Sequence, residues 1–235
     1  VTAEKPKARV VFCCPCLEKP TDALVKAIEA SVPALDAAGY DHKMVFEVGC
    51  PYISSARATM LRKALDAKAD IIIFLDYDLS FPPEALVKLI QTQGEVVSGA
   101  YRFKMDEEKY MGRLAENEAG RPIVREDGCV KAEWIPAGFL KVTATAIDGF
   151  MGAYPELCFG PRYAPSIDLF NHGAHEGIWW GEDYAFSRRW HEMGGEIWVI
   201  PDLDITHHSK VSSYPGNLHK FLVSLSDKIR EKEAA

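Results

Sequence analysis

The chain has 235 residues, 48% of them hydrophobic and 26% charged, with a formal net charge of −7. That length suits one large domain or two small ones and can bury a substantial core. No apolar run approaches a membrane-spanning helix, no secretory signal is visible, and the acidic balance argues against a broad non-specific nucleic-acid surface, though not against a local basic groove.

In chain order, Arg9–Cys14 reads as a first strand, and Pro15–Pro20 as the loop after it. Thr21 is placed to cap a helix carrying Leu24, Ile28, Val32 and Leu35, which Gly39 closes. Lys43–Val48 reads as a second strand, and Ser54 or Ser55 as the cap of a second helix containing Met60, Leu61, Ala64 and Leu65. The third strand is the most informative stretch. Ile71–Leu75 is a continuous apolar run, as expected of a strand buried on both faces, and it meets Asp76-Tyr77-Asp78. Aspartate is a poor strand residue, so the strand should end there, with two carboxylates at its C-terminal end. In open α/β sheets ligands bind at that end, and hard oxygen donors suit Mg²⁺ or Mn²⁺ bridged to substrate phosphates. An Asp-rich turn with no ligand is the plainer reading of the same residues.

Phe81-Pro82-Pro83-Glu84 opens a third helix, with Pro in the first turn and Leu86, Leu89 and Ile90 on the apolar face. Glu95–Ala100 completes a fourth strand. Strands alternating with helices predict right-handed β-α-β units and a parallel sheet. Beyond Arg102 the pattern changes. Lys104–Glu133 is charged and weakly periodic, and Ala153–Gly177 is rich in Pro, Gly, His and aromatics, as functional loops or a lid would be. Next come Gly181-Glu182-Asp183-Tyr184, the start of a helix with carboxylates in its first turn and Phe186 and Trp190 on its core side. Gly194-Gly195 ends that helix; Glu196–Ile200 is a strand, Pro201 breaks it, and Asp202–Thr206 continues to His207-His208 beyond a strand end. No repeat or linker interrupts the chain, so a single domain over 1–235 is expected.

Trp179 and Trp180 could stack a sugar or a base, or pack in the core. His172, His175 and Glu176 cluster in a way that invites a metal reading. Six cysteines are present; Cys13 and Cys16 form one C-x-x-C with no second pair at zinc spacing, and Cys13, Cys14 and Cys16 read best as small residues at a strand end. A chain of this size needs no disulfides, so a reducing cytoplasm is the expected setting.

These residues together resemble the GT-A glycosyltransferases, in particular the large inverting family 2. The resemblance covers most of the chain. It rests on Val10–Pro15, Asp76-Tyr77-Asp78, Phe81-Pro82-Pro83-Glu84, Gly138-Phe139, Gly181–Phe186, Arg188/Arg189, Gly194-Gly195, Ile197-Trp198, Pro201 and His207. It departs where Ala58 follows Arg57, a place where many relatives have Asn, and in the Cys-Cys-Pro-Cys run. The resemblance implies an α/β, Rossmann-like GT-A domain with a central, mostly parallel sheet flanked by helices. Residues 1–102 would bind the nucleotide-sugar and 103–235 the acceptor. It implies a hexosyl- or pentosyltransferase that moves sugar from a nucleoside-diphosphate donor, uridine-linked by preference, to a hydroxyl acceptor with inversion. Asp78 would be a direct ligand of Mn²⁺ (or Mg²⁺), Asp76 a ribose contact or second ligand, and His207 the ligand completing the site, with His208 as runner-up. Asp183 would be the general base and Glu182 its alternative, while Arg57 would touch the nucleotide or its phosphates and Glu18 the nucleobase. The acceptor stays open among glycan, protein, small molecule and hydroxymethylated DNA base. A nucleotidyltransferase is the enzyme alternative, although Cys14–Glu18 is not a Gly-rich phosphate loop; a non-catalytic nucleotide-sugar-binding protein is the other.

Overall fold

The computed structural model describes residues 8–233, so both ends of the expected 1–235 domain lie outside the described residues. The first half runs β1 (Arg9–Cys16), α1 (Asp22–Ala37), β2 (Asp41–Val48), α2 (Ile53–Asp66), β3 (Ile71–Leu75), β4 (Leu79–Ser80), α3 (Glu84–Gln91) and β5 (Val96–Gly99). The second begins with β6 (Arg113–Leu114), β7 (Val130–Trp134), β8 (Phe139–Thr143) and α4 (Ala144–Ala153). Four short strands follow: β9 (Cys158–Phe159), β10 (Ser166–Ile167), β11 (Gly173–His175) and β12 (Ile178–Trp180). The last elements are α5 (Glu182–Glu192), β13 (Ile197–Ile200), β14 (Ile205–His208), β15 (Ser213–Gly216) and α6 (Leu218–Glu233).

Eight strands form one sheet in the order β2-β1-β3-β8-β5-β13-β7-β6. β1 is parallel to β2 and β3, and β5 to β13; β8 opposes β3 and β5, and β7 opposes β13 and β6. Thus β2, β1, β3, β5, β13 and β6 point one way and only β8 and β7 the other. The expected mostly parallel sheet flanked by helices is what the chain builds. The two halves are interleaved in it, because β8 from the second half lies between β3 and β5 from the first.

Alternation along the strands divides the core between the two faces. Val11, Cys13, Ile72 and Phe74 join Met60, Leu61, Ile147, Phe150, Phe186 and Trp190 on the side of α2, α4 and α5. Val10, Phe12, Cys14, Cys16, Ile73 and Leu75 join Leu24, Leu35, Leu86 and Leu89 on the side of α1 and α3. This period-two split places Cys13 and Cys16 on opposite faces, so the C-x-x-C pair cannot close. All six cysteines are free, and burial pushes the Cys13 thiol up to about 12. No helix among the described residues is long and apolar enough to cross a membrane.

Several local expectations shift. Thr21 does cap α1, its Oγ1 accepting from the Leu24 amide at 3.2 Å. Neither Ser54 nor Ser55 caps α2, because Tyr52 is already extended and the helix begins at Ile53. Pro83 sits at the cap of α3, one step before its first turn. β14 starts at Ile205 and ends at His208, rather than running Asp202–Thr206. Partners decide this: Thr206 faces Ser80 and His207 faces Leu79 on β4, while β15 pairs on the other side. The charged stretch after Arg102 is also ordered into ladders, with Ala115 N–H donating to Lys131 O at 2.8 Å and Lys131 N–H to Ile123 O at 2.8 Å.

Candidate active site

β3 ends where the sequence says it should, and the turn after it is anchored from three directions. The Asp76 amide donates to Gly138 O at 2.8 Å, at the entrance to β8. The Tyr77 carbonyl accepts from the Thr21 amide at 2.9 Å and the Thr21 hydroxyl at 3.0 Å, which ties the turn to the start of α1. The Asp78 carbonyl accepts from the His208 amide at 2.8 Å, so the short β4–β14 ladder brings the far end of the chain against the motif.

The two aspartates then part. Asp76 Oδ1 accepts from Arg57 Nη2 at 3.2 Å, and Oδ2 accepts from the Tyr101 hydroxyl at 3.1 Å. The same hydroxyl accepts from the Gly138 amide at 3.1 Å, and burial raises the Tyr101 phenol well above its ordinary range, so it stays a donor. Both Asp76 oxygens therefore accept from protein groups that Asp78 does not share. Asp78 is 4% exposed. Its Oδ1 lies 3.4 Å from His207 Nε2, and its Oδ2 accepts from the Lys104 ammonium. Despite burial, which opposes ionisation, His207 and Lys104 hold the Asp78 carboxyl below its usual pKa.

His207 is oriented as a ligand would be. Its Nδ1 is 2.8 Å from Arg102 O, a group that can only accept, so Nδ1 carries the proton. That bond leaves Nε2 as the ring nitrogen directed at the Asp78 carboxylate, 3.4 Å away, so the two side chains face one another as a pair of cation ligands would. His208 is not equivalent. Its Nε2 is bound at 2.7 Å to Ser80 Oγ and its Nδ1 at 2.8 Å to Ser213 Oγ. Among the described residues no group of three or more His, Cys, Asp or Glu side chains is arranged to hold a metal. Asp78 and His207 offer two donors, and the charge of the site supports the same need. Asp76, Asp78, Glu182 and Asp183 carry four formal negative charges against two positive ones on Arg57 and Lys104, an excess of two when all are ionised. Two donors fit a divalent cation only where its remaining ligands are supplied from outside the protein.

Arg57 links this acid pair to the second acidic motif. Its side chain is 3% exposed, and it lies 3.2 Å from Asp76, 3.4 Å from Asp183 and 3.5 Å from Glu182. The guanidinium also stacks over Phe170, 4.9 Å from the ring centre, while its Nε is buried without a partner among the described residues. Arg57 is thus a buried cation that joins carboxylates from the turn after β3 and from the start of α5. Asp183 sits in the first turn of α5, whose start is fixed to the β7–β8 connection because Ser187 Oγ donates to Asp183 O at 2.8 Å and accepts from Ile135 N–H at 3.3 Å. Burial, reinforced by Glu182 and Asp76, raises the Asp183 carboxyl to about 7 against the opposing pull of Arg57 and the Ala137 amide.

Gly138 shows how closely these parts fit. A Cβ there would meet Asp76 Oδ2 and Tyr101 OH at 2.2 Å, and its φ lies outside the left-handed region, so space alone demands glycine. Gly138→Ala is expected to fold with a loss of about 1–3 kcal/mol, as overpacking costs. It should also weaken nucleotide binding by turning Asp76 away from Arg57. Thermal unfolding and a nucleotide titration on the same sample check this; wild-type values in both would refute the tight junction.

The other sequence candidates are not drawn in. Glu18 is exposed in the loop after β1. The two tryptophans diverge by strand alternation, with Trp179 70% exposed and Trp180 buried at 7%. The His172–His175–Glu176 metal reading fails: His175 Nε2 is 3.3 Å from Arg189 Nη2 and its ring packs on Trp180 at 4.5 Å, while Glu176 occupies a turn at φ 51°. Sequence reasoning missed Tyr101 and Lys104. Nothing local marks them, since one follows an ordinary strand and the other lies in a charged loop.

No protein-family model matches the sequence, and comparison with curated proteins finds no match. Among solved structures, the crystal structure of GalNAc-T7 with UDP, GalNAc and Mn²⁺ aligns with TM-score 0.51 and 12% identity, over 87% of this chain and 44% of that one. The structure of S. aureus TarS 1–349 in complex with UDP-GlcNAc aligns with TM-score 0.42 and 11% identity, over 82% and 56%. This chain therefore spans about half the length of either. The first alignment shows a shared fold, which is the GT-A fold.

Proposed function

We propose that the protein is a glycosyltransferase that takes sugar from a nucleoside-diphosphate donor in a metal-dependent reaction and inverts the anomeric centre. The observation that carries this reading is the Asp76–Arg57–Asp183 linkage at the C-terminal end of β3, within a GT-A sheet. It sets a half-buried carboxylate, its pKa raised to about 7, beside a pair of acids, one of which faces an oriented histidine. Asp78 and His207 would hold the cation, whose chemistry when bound is to neutralise charge on the departing diphosphate. Asp76, held in place by Tyr101 and Arg57, is left to contact the ribose. Asp183 accepts the proton of the acceptor hydroxyl, and a pKa near the working pH suits that task. A base fixed at a helix start favours attack from the face opposite the diphosphate, hence inversion. Glu182 stands beside it as the alternative base. The uridine donor is preferred by resemblance, and the acceptor is a hydroxyl-bearing glycan, protein, small molecule or modified DNA base, with exposed Trp179 available to stack on it.

Titrating a panel of nucleotide-sugars by calorimetry, first with Mn²⁺ and then with EDTA, tests the donor reading. Binding of one nucleoside-diphosphate sugar that is lost in EDTA is the expected result. Equal binding in both would defeat the metal claim, and no binding in either would defeat the donor claim.

A further inference from the structure

We propose that Lys104 is a positioning cation that competes with a divalent metal for Asp78 and passes to the donor diphosphate when metal and donor bind together. The inference rests on the donor reading above and adds a residue to it.

Asp78 is almost wholly enclosed, with one oxygen toward His207 and the other paired to the Lys104 ammonium. A divalent ion on that carboxylate would stand beside the ammonium, and in a site shielded from water like charges repel strongly. Lys104 is free to yield. Its side chain is 34% exposed and reaches in from a loop rather than from a sheet or helix. The base of that loop is nonetheless fixed. Phe103 N–H donates to Lys109 O at 2.9 Å, and the Arg102 guanidinium donates to Met105 O at 3.2 Å, Asp106 O at 3.0 Å and Pro215 O at 3.2 Å. Arg102 also supplies the carbonyl that orients His207, so one residue positions both partners of Asp78. Lys104 can thus turn away from Asp78 without leaving the site.

Its next partner follows from chemistry. Glu107 is engaged by Lys109 at 2.7 Å and Glu108 by the Tyr110 hydroxyl at 2.9 Å. The ammonium is a compact charge with three donors on a flexible stem, well suited to phosphate oxygens. Two protein donors leave a metal needing phosphate oxygens, so the anion that completes the metal is also the one that receives Lys104. Metal alone should bind weakly, and metal with a diphosphate should bind with strong synergy.

The test is Mn²⁺ binding, read by electron paramagnetic resonance of the free ion, with and without UDP as the probe, on wild type, Lys104→Met and Lys109→Met. Lys104→Met is expected to bind Mn²⁺ alone about tenfold tighter, the scale of one charged hydrogen bond removed from competition. It should gain nothing when UDP is present, so the synergy shrinks. Lys109→Met removes the same charge from the same loop and should match wild type in both arms. Mn²⁺ affinity unchanged or weaker in Lys104→Met would overturn the proposal, as would an equal gain in Lys109→Met. If Lys104→Met tightens Mn²⁺ but no variant binds UDP, the uridine preference of the donor reading fails while the competition at Asp78 stands. If Mn²⁺ binds neither wild type nor Lys104→Met, the proposal is wrong.

Discussion

Asp183→Asn is expected to retain nucleotide-sugar binding and to lose turnover by roughly 10²–10⁴-fold, the usual worth of general base catalysis. The substitution keeps the shape of the side chain and removes its proton acceptor. The pH profile gives an independent reading. Because the base acts in its ionised form, kcat/KM of the wild type should rise through about pH 7 and level above it. Stability should move in the opposite direction. The folded-state pKa of this carboxyl is raised, so its contribution is fully favourable below the unfolded carboxylate value, near 4, and is lost as pH climbs through about 7. Asparagine carries no such penalty. The variant should therefore match wild type in unfolding free energy below pH 4 and exceed it at pH 8, by up to about 4 kcal/mol for a shift of about three units. Near-wild-type transfer by Asp183→Asn would reduce Asp183 to an acceptor contact and direct attention to Glu182. A product of retained configuration by NMR would reject single displacement whatever Asp183 does.

Asp78→Ala and His207→Ala are expected to abolish Mn²⁺-dependent binding of a nucleoside diphosphate while leaving the fold intact. Even the groups that merely orient ligands are typically worth 10–100-fold in metal affinity, roughly, so loss of a donor atom should cost at least that. The two variants should differ in one respect. Without Asp78, Lys104 loses its partner and His207 keeps its bond to Arg102 O; without His207, Asp78 keeps Lys104. His207→Ala should thus be the milder change to the protein itself, seen as the smaller shift in Tm. If His207→Ala binds Mn²⁺ and nucleotide as wild type does, His207 is only a strand residue. His208→Ala is the control: both its ring nitrogens are engaged by serines, so it should leave metal binding unchanged.

Much of this architecture was written locally in the chain. The apolar run Ile71–Leu75 and its termination at Asp76, the Thr21 cap, and the Phe186/Trp190 face each depend on residues within a few positions of one another, and short-range sterics, capping and burial fix them. Asp76 and Asp78 were marked by their place at the end of a buried strand, whereas Asp183 and His207 stood out only through the family resemblance, since an acid in a first helical turn and a histidine beyond a strand end are ordinary. What the sequence could not determine was which of them meet. Strand order is a property of the whole sheet, and β8 inserts between β3 and β5 from more than forty residues away in sequence. That insertion brings Gly138 against Asp76, and with Tyr101 it directs Asp76 to Arg57 instead of to Asp78. The start of β14 was likewise unreadable, since a strand exists only where β4 and β15 offer hydrogen-bond partners, and that pairing turns the His207 ring toward Asp78. Lys104 and Tyr101 left no local trace because their roles depend on partners 26 and 25 residues away. Local interactions determined the elements; long-range hydrogen bonding and buried charge decided which carboxylate faces the histidine, which the arginine, and which carries a pKa near neutrality.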